Sequence, residues 1–141
     1  MDKNEKIKYW LDLADYDIET AKVNLSGKRF LYVGFMCHQT IEKALKSVVT
    51  KITDDVPPKV HNLLLLAEKA LLYDIMNEEQ LDLIRELNPI NIEARYPEYK
   101  NKIFKTLSPE YCAEIIKRTE GLLQWIKIQL ENSPENMPKK F

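Results

Sequence analysis

Two histidines stand out as groups that could exchange protons or hold an anion, and they are the only two in the chain, His38 and His61. Imidazole is the side chain best suited to proton transfer near neutral pH. His38 borders the apolar stripe of a predicted helix, which fits either a hydrogen-bonded, partly buried histidine or a polar group in a ligand cleft or subunit interface. His61 follows Pro57-Pro58, where it fits either capping and loop packing at the next helix or a general base that needs a partner.

Charged residues at helical spacing add to these candidates. Asp17 falls on the predicted apolar side of the first helix, where a carboxylate is costly unless it is paired. It therefore either reaches water at the edge of the stripe or meets a cation across the bundle, and Arg95 is the candidate cation. Glu42 and Lys46 have the spacing of an i,i+4 ion pair. Lys43 and Lys46 are predicted to form a solvated face, and Lys43 is also a candidate for binding phosphate.

The segment NIEARYPEYKNK, residues 91–102, opens a stretch that combines cations with aromatic rings. Arg95 and Tyr96 are its central pair, and Pro97 ends any preceding helix. The surrounding residues of the same two kinds are Lys100, Lys102, Lys105, Tyr99 and Phe104. Cations beside aromatic faces suit phosphate binding and base stacking. The alternative is structural, with Arg95 capping helix carbonyls or pairing with Asp17 and Tyr96 filling a gap.

Elements that would position these residues follow from apolar periodicity. Apolar side chains recur every three or four residues, which predicts amphipathic helices. A capping box at Asn77–Gln80 opens a short helix that Asn88-Pro89 ends, and Ser108-Pro109-Glu110 opens the last helix. Ser26-Gly27 ends the first helix, with glycine at the left-handed cap position. The predicted helices span 3–26, 29–53, 59–73, 77–87 and 109–131.

These elements predict an all-α protein, an up-and-down helical bundle of four main helices plus a short additional helix. The connection between the first two helices is very short, so they form an antiparallel hairpin. Only 3 glycines are present, which disfavours a sheet built on tight turns. We expect one bundle domain over residues 1–131, followed by a flexible tail over 132–141.

Composition narrows the class of function. The 141 residues carry a net charge of −1, so any polyanion must bind a local patch rather than a global field. Cys37 and Cys112 lack CxxC spacing and are predicted to be buried free thiols, with no metal site and no cofactor. No long apolar run or leader is present, which predicts a cytoplasmic protein without a membrane segment.

The order and spacing of several segments resemble the HEPN family (higher eukaryote and prokaryote nucleotide-binding). The segments are WLDLADYDIETA at 10–21, GFMCHQTIEKALKSVV at 34–49, the stretch around His61-Asn62-Leu63, Ala94-Arg95-Tyr96-Pro97 and a final helix ending LLQWI. The resemblance covers about residues 5–131. It implies a small helical bundle that forms homodimers and that often acts with a minimal nucleotidyltransferase in toxin–antitoxin-like pairs. Apolar residues outside the main stripes are compatible with a dimer interface, namely Tyr9, Leu13, Leu31 and Val49.

Several branches of this family are metal-independent ribonucleases whose motif is an arginine, a polar residue and, a few positions later, a histidine. This chain keeps Arg95, but Tyr96-Pro97 replaces the polar position and no histidine follows. The sequence therefore favours a domain without the full ribonuclease motif and with no assigned catalytic residue. Such a domain would bind nucleotide, RNA phosphate or a nucleotidyltransferase partner, with Arg95, Tyr96, Asp17, His38, Lys43 and His61 as candidate ligand-binding residues. No DNA specificity is expected. The alternatives are a ribonuclease toxin, in which His38 or His61 reaches Arg95, and a helical adaptor without a ligand.

Overall fold

A computed structural model describes residues 1–93 and 107–136 of the chain. Within these residues the secondary structure is entirely helical, which confirms the predicted all-α bundle. The α-helices are α1 (Lys3–Ser26), α2 (Phe30–Ile52), α3 (Leu63–Lys69), α4 (Glu78–Glu93) and α5 (Pro109–Asn132), and a 3-10 turn lies at Tyr73–Ile75. Of the described helices, none combines the length and apolar character needed to cross a membrane.

Helix α2 is the centre of the bundle. It packs against each of the other four α-helices in the described part of the chain, most extensively against α1. Its apolar side chains at Cys37, Ile41, Leu45 and Val48 are completely buried. Because neighbours surround α2, polar residues such as His38, Glu42 and Lys46 are buried as well, and this arrangement creates the candidate site described below.

The hairpin connection between α1 and α2 differs in one detail from the prediction. Arg29 N donates to Asn24 O and Lys28 N donates to Leu25 O, the paired hydrogen bonds of a Schellman motif. The left-handed residue is Lys28, with φ 59°, whereas Gly27 has φ −84°. The sequence-based assignment of glycine to this position was therefore wrong by one residue.

The third helix is shorter than predicted. Asn62 caps α3 by accepting hydrogen bonds from Leu64 N and Leu65 N, so the helix begins at Leu63 rather than near residue 59. It ends in a second Schellman-like turn in which Leu71 adopts φ 60°. Because the left-handed residue is not a glycine, the sequence gives no signal for the end of this helix.

Helix α4 continues past Pro89, where the sequence predicted an end. Proline removes one helical hydrogen bond, at a cost of about 3 kcal/mol in a helix interior. Ile90 offsets this cost because it is buried against α2, where a Cβ on Gly34 would lie only 3.2 Å from the Ile90 side chain. Asn88 also connects α4 to the start of α3, because its Oδ1 accepts a hydrogen bond from Leu63 N at 2.8 Å.

The remaining helix boundaries agree with the caps read from the sequence. Asn77 and Gln80 exchange reciprocal backbone–side-chain hydrogen bonds at 2.8 and 2.9 Å, which confirms the capping box. Ser108 Oγ accepts from Tyr111 N and Pro109 takes the first position of α5, as predicted. After α5, Asn136 N donates to Lys51 O at 3.3 Å. The last five residues, 137–141, lie outside the described part of the chain, and the domain boundary at 131 stays a prediction.

Candidate functional site

A buried carboxylate, Glu42, organises the most unusual group of side chains in the bundle. Glu42 is 3% exposed and lies on α2. Its Oε2 accepts a hydrogen bond from Lys46 Nζ at 3.2 Å, and its Oε1 accepts one from His61 Nδ1 at 2.7 Å. Together with His38 these residues form what we call the Glu42 cluster. The predicted i,i+4 pair of Glu42 and Lys46 is confirmed, and it sits in the interior rather than on the surface.

His38 holds the backbone of His61. It is completely buried, and its Nε2 donates to the His61 carbonyl at 2.9 Å. His38 Nδ1 lies 4.0 Å from Glu42 Oε1, too far for a hydrogen bond. The two predicted histidines are thus brought together, one as a buried support and the other at the surface.

The His61 ring is fixed but accessible. Its side chain is 44% exposed while the bonded Glu42 carboxylate is almost fully buried. Nδ1 is committed to Glu42, and Nε2 makes no hydrogen bond with residues of the described ranges. An imidazole held through Nδ1 by a carboxylate and open at Nε2 has the geometry of an oriented acid–base group. Asn62, not His61, provides the cap of α3.

Lys46 is the main correction to the predicted solvated face. It is 7% exposed, and its ammonium group lies 5.5 Å from the centroid of the Trp10 ring. Cation–π attraction and the Glu42 carboxylate together stabilise the charge in this buried place. Trp10 contacts Tyr9 edge-on, with ring centroids 5.7 Å apart. The cluster therefore ends at an aromatic pair on α1.

Asp17 has the cation partner that its buried position requires, and within the described residues this partner is Lys43. Asp17 is 6% exposed, and its Oδ2 accepts a hydrogen bond from Lys43 Nζ at 2.5 Å. This pair joins α1 to α2 two helical turns along α1 from Trp10, so both pairs line one seam between these helices. Arg95 and Tyr96 lie outside the described residues.

Glu42 and Trp10 were not among the predicted site residues. A signal for the first was present, because His38, Glu42 and Lys46 repeat at i, i+4 and i+8 and must share one face of a helix. No comparable signal identified Trp10, whose spacing matched an ordinary core position.

Cys37 and Cys112 are free and buried, as predicted, and play no part in this cluster. Burial raises the pKa of the Cys37 thiol to about 12 and that of Cys112 to about 11. Thiols with such values are poor nucleophiles near neutral pH. They belong to the core.

Comparison with known proteins gives the family. The chain is similar to ST0689, an archaeal HEPN homologue of known crystal structure, with a TM-score of 0.65 over 88% of this chain and 97% of that one. Identity is 19%, so this likeness concerns the fold. A comparison with curated proteins gave no significant match. The HEPN domain model matches residues 7–129, nearly the whole bundle, and the chain accordingly belongs to the HEPN domain family.

Proposed function

We propose that this HEPN domain binds a nucleotide or RNA phosphate beside His61, at the seam between α1 and α2. The observation that carries the proposal is the hydrogen bond from His61 Nδ1 to the buried Glu42, which holds a half-exposed imidazole in one orientation. A bundle that needed only a core would gain more from an apolar side chain at position 42. The cost of this buried charge favours a functional reason for keeping it.

Charge at the site suits a small anion that makes short-range contacts. Glu42 balances Lys46, and Asp17 balances Lys43, so the neighbourhood is neutral when His61 is neutral. The imidazolium form of His61 would add one positive charge next to the Glu42 carboxylate. A phosphate accepting a hydrogen bond from Nε2 would then gain a charge-assisted interaction. The site would hold a phosphate locally, in keeping with a chain whose net charge is −1.

Calorimetric titration of the protein with adenosine 5′-monophosphate, supported by thermal shift, tests the proposal directly. Binding to the native state alone raises apparent stability by mass action. Binding that weakens in His61→Ala supports the assignment. An adaptor without a ligand would give neither heat nor a shift, and that result would contradict the proposal.

Arg95 and Tyr96 supply a second part of this hypothesis from sequence alone. We expect Arg95→Ala to weaken binding of the nucleotide about tenfold or more, because a bidentate guanidinium–phosphate contact is lost. Circular dichroism should show unchanged helicity. Arg85→Ala is the matched control, since Arg85 is a half-exposed arginine that pairs with Asp82 on α4. Equal binding by both variants, or unfolding of Arg95→Ala, would reject this role.

The proposal also includes a homodimer and a nucleotidyltransferase partner. Two predicted interface residues, Leu31 and Val49, are buried within the monomer and are unsuited to that role. A different surface is available on α1, where Leu13, Tyr16, Thr20 and Val23 follow a heptad-like spacing of three and four. Tyr16 and Val23 are 72% and 69% exposed. We call this row the α1 stripe and assign it to a second copy of the chain.

Dimerisation through the α1 stripe predicts a clear mutational effect. Tyr16→Asp should shift the protein from dimer to monomer in sedimentation equilibrium, because a charge would be buried at the centre of the contact. Ile75→Asp serves as the control, since Ile75 is 57% exposed in the 3-10 turn, away from α1. A Tyr16→Asp protein that remained dimeric would place the interface elsewhere.

A second function, metal-independent cleavage of RNA, is favoured by one observation. His61 has the carboxylate partner that a general base requires, and its Nε2 is accessible. Nε2 would take the proton of a ribose 2′-hydroxyl as that oxygen attacks the adjacent phosphorus. The bond to the 5′-oxygen breaks, water protonates that oxygen, and a cyclic phosphate and a 5′-hydroxyl result.

Cleavage of short RNA by the pure protein in the presence of a chelator tests this second function. We expect activity to be lost in His61→Ala and kept in Arg85→Ala. If the wild-type protein leaves a range of RNAs intact, cleavage is excluded and phosphate binding alone remains. Cleavage that survives in His61→Ala would remove His61 from the reaction.

A further inference from the structure

A cleft of about 240 Å³ opens on the side of Trp10 formed by the start of α1 and the loop after α2. Helix α1 contributes Lys3, Lys6, Tyr9 and Trp10, and the loop contributes Asp54, Asp55, Val56 and Pro57. Its wall is mostly apolar, with charged groups at a few positions. Ligand sites typically have this combination of an apolar wall and few polar groups. Its size is somewhat below the range of about 300–1,000 Å³ for drug-sized ligands, which suits a single planar ring system.

Two aromatic rings in this cleft are held in place before any ligand arrives. Trp10 is fixed by the buried Lys46 ammonium at 5.5 Å, which Glu42 in turn holds at 3.2 Å. Tyr9 packs edge-on against Trp10 and yet is 48% exposed. Exposure of this apolar ring surface of Tyr9 to water is unfavourable. A preorganised and exposed aromatic pair is the arrangement on which nucleobases stack.

Polar groups of the cleft fit a nucleotide whose base carries an amino group. Asp54 offers carboxylate oxygens to an exocyclic amine. Lys3 lies 3.6 Å from Asp54 and also donates to Lys51 O. Lys6 makes no ion pair with residues 1–90 or 107–136 and is exposed, so it is the cation available to an anionic group.

We propose that this cleft is a binding site for an amino-bearing nucleobase, with Trp10 and Tyr9 as its stacking surface. Trp10 separates it from the Glu42 cluster, so one nucleotide would place its base in the cleft and direct its phosphate towards Lys6 or the cluster. This inference deepens the proposed phosphate-binding function and rests on it for the phosphate. The base contact itself does not depend on His61.

Trp10 fluorescence provides the test. The variant Trp125→Phe leaves Trp10 as the single tryptophan, because the chain has 2. Titration with adenosine and with adenosine 5′-monophosphate should quench this fluorescence, whereas inorganic phosphate should not. Uridine, which lacks the exocyclic amine, should bind more weakly.

Variants on the two sides of the cleft sharpen the result. In the Trp125→Phe background, Tyr9→Ala and Val56→Asp should each weaken adenosine binding on the order of tenfold, the scale of one lost stacking contact. Val56 lies outside the α1 stripe, so its effect cannot arise from dimerisation. Tyr32→Ala removes a tyrosine that is 53% exposed on α2 and should bind adenosine normally. Absence of quenching by nucleosides, or equal affinities in all these variants, overturns the inference.

The two proposals fail separately. If adenosine quenches Trp10 but the monophosphate binds no more tightly, the base cleft stands and the phosphate site beside His61 is wrong. If the monophosphate binds by calorimetry and loses affinity in His61→Ala without changing Trp10 fluorescence, the cleft is wrong and the phosphate site stands.

Discussion

Replacing Glu42 by glutamine should cost about 3 kcal/mol of unfolding free energy, because it leaves the buried Lys46 ammonium without its counter-ion. For a domain of this size the corresponding fall in Tm is about 10 °C. Thermal unfolding followed by circular dichroism measures it. Glu86→Gln is the control, since Glu86 forms an ion pair with Arg118 at 2.5 Å but is 41% exposed. Exposed pairs contribute about 0–1 kcal/mol.

A double variant separates the stability of the Glu42 cluster from its function. Glu42→Leu combined with Lys46→Met removes both charges and should recover most of the lost stability, since buried ion pairs are often replaceable by apolar residues. His61 then lacks the acceptor for Nδ1. The double variant should therefore be stable but should bind nucleotide more weakly than the wild-type protein does. If Glu42→Gln and Glu86→Gln had equal Tm values, the buried Lys46 ammonium would be stabilised by water or by another partner, and the prediction would be wrong. Full nucleotide affinity in the double variant would show that orientation of His61 is unimportant.

Alkaline pH should destabilise the protein through Cys37. In the unfolded chain this thiol ionises near its ordinary pKa of 9.0, whereas burial raises the pKa in the folded protein to about 12. Below about pH 9 both states hold the proton and stability is unaffected. Between these values the unfolded state loses the proton first, so unfolding becomes easier by about 1.4 kcal/mol per pH unit. The loss is complete once pH passes the folded-state value.

Urea unfolding under reducing conditions at pH 7, 9 and 10.5 tests this expectation against Cys37→Ala. The wild-type protein should be the more stable of the two at pH 7, because alanine leaves a small cavity. The difference in unfolding free energy between the wild type and Cys37→Ala should decrease above about pH 9. Val33→Ala controls for the cavity, since Val33 is equally buried but does not titrate. Parallel pH profiles for the wild type and Cys37→Ala would show that the thiol stays protonated in both states.

Local signals were enough to predict the long helices, whereas non-local packing and left-handed residues other than glycine explain the errors. Helices α1, α2 and α5 have recurring apolar side chains, and α1 and α5 also have side-chain caps, so the bounds of all three were predicted to within one residue. Helix α4 passes through Pro89 because Ile90 finds a place against Gly34, a contact between distant parts of the chain. The ends of α1 and α3 depend on left-handed Lys28 and Leu71, residue types that rarely adopt this conformation.

The candidate site was harder to predict than the fold, since its geometry depends on a loop returning to α2. His38 and His61 were identified from residue type, but their connection through Glu42 needs the path of residues 53–62. Lys46 was assigned to a solvated face because a helical projection cannot tell how many neighbours surround a central helix. Asp17 was expected to need a cation, and Lys43 supplies it.

The Schellman turn at Lys28 connects α1 to α2 with very few residues, and this has a consequence for the order of folding. Contacts across such a short connection are close in sequence and form early, so we expect the α1–α2 hairpin to belong to the folding nucleus. At that stage Glu42 still lacks its His61 partner and is hydrated. Its dehydration comes with the late docking of residues 53–62, when His61 reaches α2. Native-state hydrogen exchange should therefore find α2 the slowest element to open and this loop among the fastest, so the candidate site can come apart without unfolding the bundle.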